Sequence, residues 1–223
     1  MNIKYFFHDD TSTFTYIVSD ASTKKCAVID PVLDYNIHSG RTKTIFADKI
    51  IEYINDNNLT VEWLLETHAH ADHITAAYYL KNKIGGKTGI GENIKEVIKF
   101  WVPIFNTETD TPLNGSQFDH LFKDQETINI GNLEVKIIYT PGHTPACVSY
   151  LIQDSIFVGD TIFMPHMGTA RTDFPGGSSK TLYQSIQKIY QLPDETKIYV
   201  GHDYPPQGQQ PEAVSTVLEQ KQK

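Results

Sequence analysis

"ETHAHADH", Glu66 to His73, sets three histidines and an aspartate within six positions. Ahead of it runs "TVEWLLET" (60–67), an apolar segment of strand length that delivers the chain directly into His68. Imidazole and carboxylate at this density, just beyond a buried strand, are ligand chemistry rather than packing. At a strand end, His68 and His70 stand two apart, and a period of two points both to the same side. "DHITAAYYLKNKIGG" then reads as a helix with Asp72 near its start and Gly85–Gly86 at its end. Asp72 and His73 therefore approach from another direction.

Working outward, three later segments place further ligand types just past an apolar run. "KIIYTPGHT" presents His143 after a Pro-Gly turn, "SIFVGD" ends in Asp160, and "KIYVGHD" carries His202. Each alone has a bland reading, a capping aspartate or a hydrogen-bonded histidine. Their shared strand-end setting favours a site, because loops converge there while the sheet fixes their origin. Taken alone, the motif is able to hold two ions. His68, His70, His143 and Asp160 would bind one; Asp72, His73, His202 and Asp160 would bind the other.

The remaining elements predict one α/β domain over residues 1–223, each half running strands, helix, strand. "TFTYIVSD" (13–20) and "KCAVID" (25–30) are strands around a turn, and "PVLDYNIHSGRT" (31–42) is a loop. A helix follows from Thr44 and stops at Asn57–Asn58, and "ENIKEVIKFW" is another helix candidate. "TPLNGSQFDH" is a loop, "ETINIGNLEVKIIYT" a hairpin around Gly131–Asn132, and "ACVSYLIQDSIFVGD" two strands. "SKTLYQSIQKIYQL" is helical, "TKIYVGHD" a strand and "PEAVSTVLEQKQK" a terminal helix. "KNKIGGKT" (81–88) ends like a phosphate-binding loop, but Lys81 replaces its first glycine and the segment follows a helix, so a helix end is expected.

Composition limits the function. With 39% hydrophobic and 21% charged residues the chain has the make-up of an ordinary globular protein. A formal net charge of −8 disfavours nucleic acid and anionic membranes as partners, and an anionic substrate would need a local cation. No stretch has the apolar length of a membrane helix, and the N-terminus lacks the pattern of a signal peptide. Without an export signal the sequons at Asn58 and Asn114 carry no weight, and the cytoplasm is the expected location. Cys26 and Cys147 are expected to be buried free thiols.

The set "HAHADH", "TPGHT", "FVGD" and "VGHD" resembles the metallo-β-lactamase superfamily, which implies a four-layer αββα sandwich. The resemblance runs from about Thr13 to His202. Asp160 stands where the true β-lactamases carry cysteine, which counts against antibiotic hydrolysis. "IDPVLDY", "LETHAHADHITAA", "TPGHTPACVSY", "GTARTDFPGG", "TLYQSI" and "LPDETKIYVGHDY" are similar to the persulfide dioxygenase branch. "SGRT" (39–42) and "GSQFD" (115–119) look like a bacterial subgroup often encoded beside rhodanese-type sulfurtransferases. That branch implies a single Fe(II) per chain on His68, His143 and Asp160, with zinc a competitor in preparations. His70, Asp72, His73 and His202 then orient the ligands and hold waters. The implied reaction oxidises glutathione persulfide with O₂ to sulfite and glutathione, in a homodimer, with a rhodanese-type sulfurtransferase as possible partner.

Arg171 is a candidate clamp for a glutathione carboxylate, or else a surface salt bridge. Tyr204 either contacts the same ligand or is packed; Asp173 braces the loop, and Cys147 belongs to the core. The competing enzyme reading is a dinuclear glyoxalase II-type hydrolase of S-acylglutathione. Only Asp203 to Lys223 follow His202, which is expected to be too little for the helical region that such hydrolases use to grip glutathione. A non-catalytic protein on a decayed scaffold is disfavoured by the intact ligand set.

Overall fold

The computed structural model describes residues 1–205 and 208–222. The first half contains β1 (Asn2–His8), β2 (Thr13–Ser19), β3 (Lys25–Ile29), β4 (Val32–Asn36), β5 (Arg41–Lys43) and α1 (Ile45–Asp56). It continues with β6 (Thr60–Leu65), β7 (Ile74–Thr75), α2 (Ala77–Ile84), β8 (Lys87–Gly91), α3 (Ile94–Phe105) and β9 (His120–Phe122). The second half contains β10 (Thr127–Ile130), β11 (Leu133–Tyr139), β12 (Val148–Ile152) and β13 (Ser155–Phe157). Then come α4 (Ser179–Ile189), β14 (Lys197–Tyr199), β15 (Val214–Thr216) and α5 (Val217–Lys221).

Two six-stranded sheets result, in the orders β1-β2-β3-β6-β8-β9 and β10-β11-β12-β13-β14-β15. Their facing sides meet in one core: Phe14, Tyr16 and Leu65 from the first sheet, Val135, Tyr150 and Ile156 from the second. Leu182, Ile186 and Ile189 of α4 extend that cluster over the second sheet. Ile50 and Ile54 of α1 and Leu80 of α2 close a separate cluster with Ile17, Val28 and Leu64, the other side of the first sheet. Strand periodicity explains the division: Val28 and Leu64 alternate with Ala27, Ile29 and Leu65, so successive residues feed opposite layers. The αββα sandwich expected from the sequence is the observed architecture. Among the described residues, no helix is long and apolar enough to cross a membrane.

Several local expectations are corrected. Residues 31–42 are not a loop, because β4 and β5 form a hairpin with Tyr35 opposite Thr42. Its turn is closed by Asn36, whose side chain accepts from the Ser39 N–H at 2.9 Å, with Gly40 at φ +65°. Its strands, Val-Leu-Asp-Tyr-Asn and Arg-Thr-Lys, lack the apolar alternation that marks a half-buried strand. The helix expected from Asp72 starts only at Ala77. Ile74 and Thr75 are instead taken up by β4, pairing with Leu33 and Val32. That bridge ties down the far end of the histidine loop.

At the C-terminus, Val214–Thr216 pair with β14 and the helix begins after them. Thr216 and Glu219 form a reciprocal capping box, and that signal outranks the longer apolar period. Lys223, the last residue of the expected helix, lies outside the described residues. The Gly-Lys-Thr segment is a helix end as expected: Gly85 caps α2 at φ +75°, and Lys87 opens β8. The hairpin around Gly131–Asn132 is present in register, Ile130 opposite Leu133. α3 is longer than its sequence signal and runs through Pro103 to Asn106, which caps it in the left-handed region.

Candidate metal centre

β6 ends at Leu65, and Asp30, just past the end of β3, catches the chain as it leaves the sheet. Its carboxylate accepts from the Thr67 N–H at 2.7 Å and the Thr67 hydroxyl at 2.8 Å. Asp30 does so from a left-handed backbone, φ +50°, which costs a non-glycine residue energy. The second sheet grips the same point. The Val148 N–H donates to the Thr67 carbonyl at 2.9 Å, and the Tyr150 hydroxyl to the Glu66 carbonyl at 2.7 Å. The histidine loop therefore starts where both sheets hold it. His68 and His70 are indeed neighbours, with ring centroids 4.2 Å apart. The cause is this anchored loop and not continued strand periodicity.

The hydrogen bonds fix which nitrogen each histidine presents. The Thr67 hydroxyl spends its proton on Asp30, so at 3.0 Å it accepts from Nδ1–H of His68. His143 Nδ1 donates to the Arg171 carbonyl at 2.8 Å, and His202 Nδ1 to the Ser12 carbonyl at 3.1 Å. His73 Nδ1 lies 3.0 Å from Asp72, and His70 Nε2 lies 3.1 Å from Glu66 and 3.2 Å from Asp30. In each of these five rings one nitrogen is anchored by a neighbouring acceptor. Nε2 of His68 and His73 and Nδ1 of His70 are buried without any hydrogen-bond partner. Unpaired buried polar atoms are costly unless something else satisfies them.

Asp160 lies between these rings. One carboxylate oxygen is 3.8 Å from His68 Nε2 and 3.7 Å from His143 Nε2; the other is 3.5 Å from His202 Nε2 and has no hydrogen-bond partner. Two glycines admit it. A Cβ on Gly159 would stand 2.3 Å from the Thr67 hydroxyl oxygen, and one on Gly201 would stand 2.7 Å from the Asp160 carboxylate. The glycines of "VGD" and "VGHD" are thus space for the site.

Ligand atoms of His68, His143 and Asp160, all buried, lie within 4.8 Å of one another. His70, Asp72 and His73 make a second such group, and Asp30, Glu66 and His70 a third. A cation fits the first group: two imidazole lone pairs and a carboxylate converge with no competing donor. Electrostatics separate the neighbouring histidines. Burial, reinforced by the surrounding imidazoles, pushes His68 well below its ordinary value and keeps it neutral. Burial also acts downward on His70, but Asp30 and Glu66 overcome it and hold that ring well above its ordinary value. His73 falls to about 4, chiefly through burial and then His70. Burial raises Asp160, against the pull of His202 and His143.

The cleft above these groups has a volume of about 300 Å³ and is lined by Asp72, His143, Asp160, Phe163, Arg171 and Tyr204 among others. Arg171 is on its rim with a 65% exposed side chain, and its guanidinium grips Asp173 through two bonds, at 2.5 and 2.6 Å. The same guanidinium lies 4.9 Å from the centroid of Phe174. Tyr204 is half-exposed and stacks on His202, centroids 5.7 Å apart and planes 7° apart. Cys26 and Cys147 are buried free thiols; burial pushes each up to about 12. All nine residues singled out in the sequence meet at this cleft or directly behind it. Asp30 and Glu66 were missed. Asp30 was legible as the aspartate before proline at a strand end, Glu66 only as the i,i+4 partner of His70.

The pattern described as the metallo-beta-lactamase superfamily matches residues 8–202. A "Beta-lactamase hydrolase-like protein" of Xylella fastidiosa (strain 9a5c) is 52% identical over 97% of this chain and 50% of its own length. "Glyoxylase B2" of Dictyostelium discoideum is 52% identical over 98% of the chain and 76% of its own. The human protein named "Persulfide dioxygenase ETHE1, mitochondrial" is 31% identical over 91% of the chain and 68% of its own. The crystal structure of ETHE1 from Myxococcus xanthus superimposes with a TM-score of 0.78 at 30% identity, covering 99% of this chain and 82% of that one. The chain spans about half the length of the bacterial hydrolase-like relative.

Proposed function

Because this chain belongs to the metallo-beta-lactamase superfamily, we propose that it is a persulfide dioxygenase, with glutathione persulfide and O₂ as substrates. The observation that carries this reading is the buried convergence of His68, His143 and Asp160, separate from the group around His70. Two imidazoles and one carboxylate on one side are the donor set of a ferrous centre with open positions. When bound there, a single Fe(II) supplies the redox chemistry that lets O₂ react. Zinc, which fits the same donors, supplies none.

The chain's own residues do the rest. Arg171 O, Thr67 and Ser12 hold the histidines in one tautomer and orientation. Asp72 and His202, 3.5 Å apart, line the open side and position substrate and water. Arg171 offers its guanidinium to a substrate carboxylate by exchanging it for Asp173, and Tyr204 flanks the same entrance. Overall, a persulfide RSSH, O₂ and one water give the thiol RSH, sulfite and two protons. The S–S bond breaks, the outer sulfur is oxidised and O₂ is reduced.

A second reading rests on a specific observation. His70, Asp72 and His73 also converge within 4.8 Å, and a relative at 52% identity is named a glyoxylase. With a second cation there, the cleft would suit hydrolysis of S-acylglutathione. We read the chain as one domain of a cytoplasmic homodimer that works beside a rhodanese-type sulfurtransferase.

Oxygen uptake decides between the readings. Iron-loaded protein given glutathione persulfide is expected to consume O₂, release sulfite, stop under argon and fail when zinc-loaded. Thioester cleavage without oxygen, together with two metals per chain, would instead establish the hydrolase.

A further inference from the structure

A second cavity, of about 450 Å³, adjoins the metal cleft and has no part in the chemistry above. It shares Ala71 and Phe174 with the cleft and reaches His70. Its other wall is α3, through Ile94, Ile98, Trp101 and Phe105. These positions, spaced four, three and four apart, form a single helical stripe. The inner end of that stripe is core: Ile94 and Ile98 are buried. The outer end is not. Trp101 is only half-buried and Phe105 is 66% exposed, their rings stacked at 5.4 Å. A core-facing stripe that runs on past the core leaves apolar surface for something else to cover.

Charge indicates what covers it. Among the described residues, no lysine, arginine, aspartate or glutamate lines this groove, and His70 is its only titratable group. The metal cleft has Arg171 at its rim, already neutralised by Asp173. A peptide thiol with two carboxylates therefore finds one cation on the Arg171 side and none on the α3 side. Phe174 divides the two, with its ring 5.2 Å from that of His143 and in contact with Arg171. We propose that the α3 groove is a substrate subsite for an uncharged alkyl or aryl arm attached to the reacting sulfur. The substrate class then includes persulfides of apolar thiols as well as glutathione persulfide. The inference rests on the reading that a substrate sulfur reaches His68, His143 and Asp160. A volume of this size lies within the ~300–1,000 Å³ of small-molecule pockets.

The test uses iron-loaded protein under argon, titrated by calorimetry with straight-chain alkanethiols from ethanethiol to octanethiol. The dissociation constant is expected to fall roughly fourfold per added methylene, the value for burying a CH₂. Phe105→Ser and Trp101→Ala should flatten that slope. Phe105 is exposed enough for its replacement to leave the core intact, and circular dichroism checks the fold. A series with no chain-length dependence in the unaltered protein overturns the subsite. So does a slope that both variants retain, or a Phe105→Ser variant that changes only the sedimentation of the protein, which assigns the stripe to a subunit contact. Sulfite release from glutathione persulfide is followed on the same preparation. Turnover with a flat thiol series removes the subsite alone; a steep series without oxygen uptake supports the subsite and removes the dioxygenase reading.

Discussion

Asp160 on the floor of the cleft and Arg171 on its rim line the same cavity, yet they are held in opposite ways. Asp160 is 8% exposed, fixed by glycines on both sides, and faces three imidazoles with one oxygen lacking any hydrogen bond. Arg171 is mostly exposed, its guanidinium paired with Asp173 through two hydrogen bonds and set against the Phe174 ring. The floor is preorganised: the buried ligand atoms of His68, His143 and Asp160 converge within 4.8 Å of one another. The rim is complete and exchangeable. Its ion pair lies in water, where such pairs contribute little to stability. A buried floor of ligand-type side chains and a solvent-exposed rim thus place different demands on neighbouring residues.

The largest effect should come from the floor. Asp160→Ala removes the group between His68, His143 and His202, and elemental analysis should find almost no metal in the purified protein. Activity should drop on the order of a thousandfold or more. Retention of a full equivalent of iron by this variant would show that the floor tolerates loss of its central carboxylate, and the contrast with the rim would disappear.

An intermediate effect is expected behind the floor, at Glu66. Glu66→Gln leaves shape intact but weakens the hold on His70, and should cost about 10- to 100-fold in metal affinity or turnover. The pH behaviour of the metal-free protein distinguishes this from general damage. His70 is raised above its ordinary value when folded. Its contribution to stability is therefore full below the unfolded value of ~6.5 and is lost as pH rises through the folded value. With only Asp30 left, the His70 imidazole resonances should titrate at lower pH and that window should shorten. An unchanged titration would mean that Glu66 does not set the charge of His70.

The smallest effect belongs to the rim. Arg171→Lys keeps the charge but loses the fork, so KM for glutathione persulfide should rise roughly fivefold while kcat stays within about twofold. Its backbone carbonyl still holds His143, because that contact does not involve the side chain. If kcat fell and KM held, the rim would be part of the reacting machinery and the distinction would need redrawing.

Seven side chains of the candidate site, His68, His70, Asp72, His73, His143, Asp160 and His202, were legible from residue type and from their place at strand ends, where loops converge; Arg171 was named for its guanidinium and Tyr204 for its place two residues beyond His202. The element pattern predicted only a layered α/β domain; the αββα sandwich was implied by the resemblance of the motifs to the metallo-β-lactamase superfamily. What the sequence left open was decided by contacts distant in the chain. Val32–Asn36 mixes apolar and polar residues without a burial period and Arg41–Lys43 is exposed throughout, so both strands were legible only through their pairing. Asp72 and His73 sit in an anchored loop rather than a helix because Ile74 and Thr75 find partners on a strand some forty residues earlier. The roles of Asp30 and Glu66 arise from Thr67 and His70 folding back onto them. Sequence by itself determined which atoms are able to bind a metal. Only the tertiary structure decided which nitrogen of each ring is anchored and which is left to bind, because that depends on the acceptor placed beside it: Thr67, Arg171 O, Ser12 O, Asp72, or the paired carboxylates Asp30 and Glu66.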